Sequence, residues 1–147
     1  MGGLLGISTH AVQEDRLSAV TKAAQSYGCV VMLKGEKTLI AAADGTVYLN
    51  STGNPGMSTG GSGDVLTGVL AALIAQQLSP LRAAVAGAYV HGLAGDLAGS
   101  AQGGATGLLA TDVISYLPQA IARCQKSVPF ASRFPGQFSG DFGLKRG

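Results

Sequence analysis

The sequence predicts an α/β fold, and three local observations carry that prediction. Residues 29–33, Cys-Val-Val-Met-Leu, are a continuous apolar run of β type, the pattern of a strand buried on both faces. Two strand-like runs, 38–43 and 46–49, flank Asp44-Gly45, a strong signal for a two-residue hairpin turn. Val65, Leu66, Val69, Leu70, Leu73 and Ile74 then recur at helical spacing directly behind a glycine-rich loop.

Taken in order, Ser8 or Thr9 caps a first helix running to about Gln25, with Val12, Leu17, Val20 and Ala24 roughly on one face. Tyr27-Gly28 stops it, and the strand 29–33 and the hairpin follow. Beyond the helix at 65–77, Ser79-Pro80 gives an N-cap and a proline at the first helical position, starting a helix to about Ala98. That helix is rich in small residues (Ala83, Ala84, Gly87, Ala88, Gly92, Gly95), which favour close packing of neighbours. Thr111 caps a further helix ending near Cys124. From Ser127 the character changes: Pro129, Pro135, Gly136 and Gly140 break any period. Residues 127–147 therefore read as an irregular or disordered tail beyond a domain at 1–126. Its Phe130, Phe134, Phe138 and Phe142 could dock on the domain or on a partner, and both options stay open.

Composition narrows the function classes. The chain has 147 residues, one domain's worth, and can bury a core of ordinary size. A net charge of +2 with 12% charged residues offers no basic field, so nucleic acid is not an expected partner. No membrane span is expected either. The apolar segment 65–75 is too short, and 83–98 contains His91 and Asp96. Cys29 and Cys124 are distant and show no metal-ligand spacing, so buried free thiols are expected and no metal site. No signal-peptide pattern opens the chain, which points to the cytoplasm. A mitochondrial or other organellar location stays open if a further segment precedes it.

Residues Asn54-Pro55-Gly56-Met57-Ser58-Thr59-Gly60-Gly61-Ser62-Gly63-Asp64-Val65-Leu66-Thr67-Gly68 are the most informative stretch. Glycines let backbone N–H groups converge where a Cβ would block approach, and the helix behind adds unpaired N–H groups and the positive end of its dipole. Together these make an anion site, most often for phosphate. A carboxylate at its rim repels phosphate, which makes sense if Asp64 touches the group that receives one. The plainer alternative is a glycine-rich turn with Asp64 as an ordinary acid at a helix start. Gly-x-x-x-x-Gly-Lys-Ser/Thr is absent, and Leu66 stands where a dinucleotide fingerprint needs its last glycine.

With its flanks, this stretch resembles the ADP/ATP-dependent NAD(P)H-hydrate dehydratases, which have a ribokinase-like fold. Three blocks carry the resemblance: Leu33-Lys34-Gly35-Glu36-Lys37-Thr38; the 54–68 stretch, with Ser58 and Ser62 against the commoner Ala and Thr; and His91-Gly92-Leu93-Ala94-Gly95-Asp96 followed by residues 107–112. It implies a three-layer sandwich with a mainly parallel central sheet. Residues 1–8 look like the segment just after the family's His-Pro-Gly-Glu motif, in a domain roughly twice as long. The expectation is therefore the C-terminal part of such a domain, truncated at the N-terminus, whose sheet edge would be open.

The resemblance also implies roles. The substrates are NADHX or NADPHX, nicotinamide rings hydrated at C6, with ADP or ATP as co-substrate and Mg²⁺ accompanying it. The C6 hydroxyl is phosphorylated, and loss of phosphate restores NADH or NADPH. Asp64 is the catalytic residue facing that hydroxyl, with Asn54 beside it on the substrate side. The amides of Gly61, Ser62 and Gly63 form the anion hole, and Gly63 with Lys34, Gly35, Glu36, Lys37 and Thr38 lines the nucleotide side. The small residues of the 80–98 helix would pack around a nucleotide or simply against neighbours. His91 reads as a satisfied core histidine, and Asp96, in the last turn, needs a specific partner. A homo-oligomer is expected for the complete form. Two other functions are compatible with parts of the pattern: a small-molecule kinase of the same fold, sharing Gly-x-Gly-Asp, and a non-catalytic nucleotide-binding or interaction fragment.

Overall fold

The computed structural model describes residues 1–127; the tail from 128 on, with its four phenylalanines, lies outside the described residues. The first helical region is in three pieces: α1 (Gly2–Leu5), α2 (Thr9–Glu14) and α3 (Arg16–Tyr27). Ser8 is the cap of α2, its hydroxyl accepting from the Ala11 amide at 3.1 Å. The expected single helix to Gln25 is interrupted at Asp15. That residue leaves helical geometry (φ −138°), and its carboxylate caps α3 by accepting from the Ser18 amide at 2.9 Å. Gly28 ends α3 in the left-handed region, as Tyr27-Gly28 predicts.

Strands β1 (Val31–Leu33), β2 (Leu39–Ala41) and β3 (Val47–Leu49) form a sheet in that order, and both pairings are antiparallel. This corrects the expectation of a mainly parallel sheet among these residues. A parallel pair needs a crossover of about a dozen residues or more, and the links here are short. The β2–β3 turn also differs from the expected two-residue form. Ala42 N donates to Thr46 O at 2.9 Å and Gly45 N to Ala42 O at 3.0 Å, leaving a loop of Ala43, Asp44 and Gly45 with Gly45 at φ +90°.

Helices cover both faces of the sheet. Alternation along β2 sends Ala41 to a cluster with Val12, Ala19, Val20 and Ala24, and Ile40 to the opposite face against Ala84 and Ala88. The second helical layer holds α4 (Ser62–Ala75), α5 (Pro80–Ala101) and α6 (Ala110–Ser127). Ala94, Leu97 and Ala98 of α5 meet Val113 and Ala120 of α6 in a third cluster. Small residues set these approaches: a Cβ at Gly87 would lie 2.5 Å from Leu70 Cδ2 of α4. Thr111 is not the cap of α6. Asp112 serves instead, accepting from the Leu109 amide at 2.8 Å.

Burial differs from the sequence expectation in two places. Strand β1 is only partly covered, with Leu33 buried and Val31 and Met32 half-buried. Neither cysteine is in a disulfide; against the expectation of burial, Cys29 is exposed, because the apolar run enters the sheet only at Val31, and Cys124 on α6 is half-buried. Among the described residues no helix is long and apolar enough to cross a membrane.

Candidate active site

The glycine-rich loop starts where α4 starts. Gly61 is its N-cap at φ +84°, a conformation that L side chains rarely adopt. Asp64 N and Val65 N close the first turn on Gly61 O at 3.0 and 3.1 Å, and Ser62 N points at Thr59 O at 3.4 Å. Among the described residues the amides of Gly61 and Gly63 have no backbone partner. The expected anion hole is thus two open donors flanking one that is loosely engaged. Gly63 itself has no positive φ; the position that demands glycine for that reason is Gly61.

A cleft of about 710 Å³ opens over this loop. Its walls include the whole expected nucleotide segment, Lys34, Gly35, Glu36, Lys37 and Thr38, together with Asn54, Ser62 and Gly63. Lys34 bridges the two blocks: its Nζ lies 2.9 Å from where a Cβ on Gly63 would be. A cation therefore stands over the glycine turn, where it attracts an anion as a point charge. Thr38 Oγ1 donates to Gly35 O at 3.1 Å, closing the loop between β1 and β2. Gly61 and Asp64 are not in the cleft wall. Asp64 is exposed in the first turn of α4, one residue beyond Gly63, and its carboxylate has no hydrogen bond to another described residue.

Helix α5 forms the floor. His91 and Ser62 are both buried, and His91 Nε2 is 3.0 Å from Ser62 O and 3.4 Å from Ser62 Oγ. A carbonyl only accepts, so the Nε2 proton points at Ser62 O and fixes the tautomer. Burial holds the His91 pKa below its ordinary 6.5; the bond to Ser62 O acts the other way, and the Lys34 charge lowers it further. Because the unfolded chain takes up this proton first, stability is lost as pH falls below about 6.5 toward the folded-state pKa. Denaturant titrations at pH 7.5 and 5.5 are expected to show that loss, and His91→Gln should flatten it.

Asp96 finds the partner its position called for. It lies more than a turn before the end of α5, not in the last turn as expected. Oδ2 accepts from the Gly53 amide at 2.9 Å and Oδ1 from Asn54 Nδ2 at 3.0 Å. Asn54 Oδ1 in turn accepts from Gly56 N at 3.1 Å, capping a 3₁₀ turn over Pro55–Met57. Thr52 Oγ1 donates to Tyr89 O and Asn50 Nδ2 to Ala88 O, lacing the same segment along α5. Close approach is possible because Gly92 faces Thr52 and Gly95 faces Met57, with no room for a Cβ. Asn54 therefore spends its amide on the shape of this loop.

One contributor escaped the sequence analysis. Arg16, at the start of α3, donates from Nη1 to Glu36 O at 2.8 Å and from Nη2 to Leu33 O at 3.1 Å and Lys34 O at 3.3 Å. Its partners are backbone atoms distant in sequence, so no side-chain motif marks it. No group of three or more His, Cys, Asp or Glu side chains able to hold a metal occurs among the described residues.

A family model described as NAD(P)H-hydrate dehydratase matches residues 2–119. A bifunctional NAD(P)H-hydrate repair enzyme from Moorella thermoacetica is 48% identical over 128 residues, covering 87% of this chain and 24% of that protein. An ADP-dependent (S)-NAD(P)H-hydrate dehydratase from Neisseria meningitidis is 46% identical over 110 residues, covering 75% of this chain and 37% of its own length. The crystal structure of an ADP/ATP-dependent NAD(P)H-hydrate dehydratase from Bacillus subtilis, co-crystallised with ATP and Mg²⁺, superposes with a TM-score of 0.75 at 32% identity, covering 80% of this chain and 42% of that one. The chain thus spans between 24% and 42% of the length of these relatives.

Proposed function

Because this chain belongs to the NAD(P)H-hydrate dehydratase family, we propose that it supplies the phosphoryl-donor side of an ADP- or ATP-dependent dehydration of NADHX and NADPHX. Residues 1–126 then represent the C-terminal part of a ribokinase-like domain, and 127–147 a tail outside it. The complete form would be cytoplasmic and homo-oligomeric. The observation that carries the reading is the meeting of Lys34 with Gly63, at the start of α4, in one cleft.

In this reading the nucleotide lies along residues 34–38, with its terminal phosphate on the amides of Gly61 and Gly63 and Lys34 over it. The C6 hydroxyl of the hydrated ring attacks that phosphorus, the bridging P–O bond breaks, and the shortened nucleotide departs. Asp64 accepts the hydroxyl proton. Phosphoryl transfer through a loose transition state asks more of placement than of base strength. The C6–O bond then breaks, phosphate leaves, and a proton is lost from the neighbouring carbon to restore the dihydronicotinamide. Asn54 acts on the substrate side through the turn it shapes. Mg²⁺ accompanying the nucleotide would be held mainly by its phosphates, with Glu36 in the cleft wall and Asp64 next to Gly63 as the carboxylates able to assist, and would neutralise phosphate charge there.

The test is incubation with NADHX plus ADP or ATP, following dihydronicotinamide absorbance. The 147-residue chain should bind ADP, and turnover should appear when the remaining part of a family domain is supplied. Absence of nucleotide-dependent turnover in that completed form would reject the reading.

A further inference from the structure

Arg16 uses three of its donor bonds on three carbonyls, those of Leu33, Lys34 and Glu36, and none on a side chain. It is not part of the cleft wall, whereas Lys34, Gly35, Glu36 and Lys37 are. The peptide bonds are all trans, so a carbonyl turned toward Arg16 sends the amide of the next residue the opposite way. Lys34 O on Arg16 therefore directs the Gly35 N–H away from the guanidinium, and Glu36 O does the same for Lys37. Among the described residues neither of these amides has a backbone partner. Lys37, a non-glycine residue, is also held at φ +54°, a conformation that persists only when its surroundings fix it, and Gly35 at φ +145° takes a shape that glycine alone adopts readily. The guanidinium provides that constraint: its nitrogens lie 3.0 and 3.1 Å from where a Cβ on Gly35 would be.

Resting on the nucleotide-site reading above, we infer that Arg16 is a positioning residue for phosphate recognition: by gathering the carbonyls of Leu33, Lys34 and Glu36 it leaves the amides of Gly35 and Lys37 as donors to nucleotide phosphate oxygens beside Lys34. Without the clamp, a carbonyl rotated into the cleft would face the anion and repel it. Arg is suited to this because its planar fork serves several acceptors at once, which a lysine ammonium cannot do in fixed geometry.

The test compares ADP with adenosine on the full chain by titration calorimetry, with thermal unfolding alongside. Arg16→Met is expected to weaken ADP binding by about tenfold or more, the scale of lost charge-assisted hydrogen bonds. Adenosine affinity should stay unchanged, since it has no phosphate to feel the loop. Arg16→Lys, which keeps the charge, should recover only part of the loss, and it carries the same comparison if thermal unfolding shows Arg16→Met to be unfolded. Equal weakening of ADP and adenosine would mean a merely structural role and would overturn the inference, as would unchanged ADP affinity. Lys34→Met separates the two levels. If it weakens ADP while Arg16→Met does not, the nucleotide site stands and the positioning role falls. If neither variant changes ADP affinity, the nucleotide reading itself falls.

Discussion

Asp64→Asn is expected to lower turnover of the completed domain by about a hundredfold or more while leaving ADP binding nearly intact. The separation follows from placement. On the proposed reading phosphate affinity resides in the amides of Gly61 and Gly63 and in Lys34, whereas Asp64 stands outside the cleft wall with an exposed carboxylate free of other described partners. Asparagine keeps the size and still suits the first turn of α4, so the helix start survives the exchange. What is lost, on that reading, is the proposed acceptor for the hydroxyl proton. Steady-state turnover of NADHX together with ADP titration checks the split, and retained turnover would remove Asp64 from the mechanism.

Gly61→Val is expected to have the second large effect, weakening ADP binding about tenfold or more and slowing turnover with it. A β-branched residue at φ +84° is strained whatever the space around it, and here a Cβ would also lie 3.2 Å from Ala110 Cβ of α6. The chain relieves this by rotating the peptide that aims the loop amides. Gly63→Ala makes the comparison informative. Its backbone tolerates a side chain, and the new methyl meets only the far end of Lys34, a flexible neighbour. Gly63→Ala should therefore shift Lys34 and reduce ADP affinity less than Gly61→Val does. Equal affinity for ADP in Gly61→Val and the parent would place the phosphates elsewhere.

The parts legible in the sequence are those written in local chemistry. Ser79-Pro80 before α5, Gly28 after α3 and the glycine turn before α4 each act within a few residues of themselves, and each element begins or ends there. The site residues 34–38, 54, 62 and 63 converge on one cleft because they sit at the ends of such elements. Sheet direction was not legible from β1 alone, since an apolar run is the same whether its neighbour runs parallel or antiparallel. Asp15 could have been recognised as a break, because Asp followed three residues later by Ser18 N is a capping geometry inside an otherwise unbroken run. The Asp96–Asn54 pair links residues 42 apart and emerges only once α5 lies along the loop.

The grip of Arg16 has a corollary for substitution in the loop. A carbonyl oxygen is the same in every amino acid, so a clamp that holds Leu33, Lys34 and Glu36 by their carbonyls is blind to the side chains it holds. The loop's outline and its lettering are thereby uncoupled. A change of residue at position 36 would leave the clamp's bond to its carbonyl in place. Positions 16 and 35 are where exchange would disturb the clamp, since the first supplies the guanidinium and a Cβ at the second would lie 3.0 Å from it.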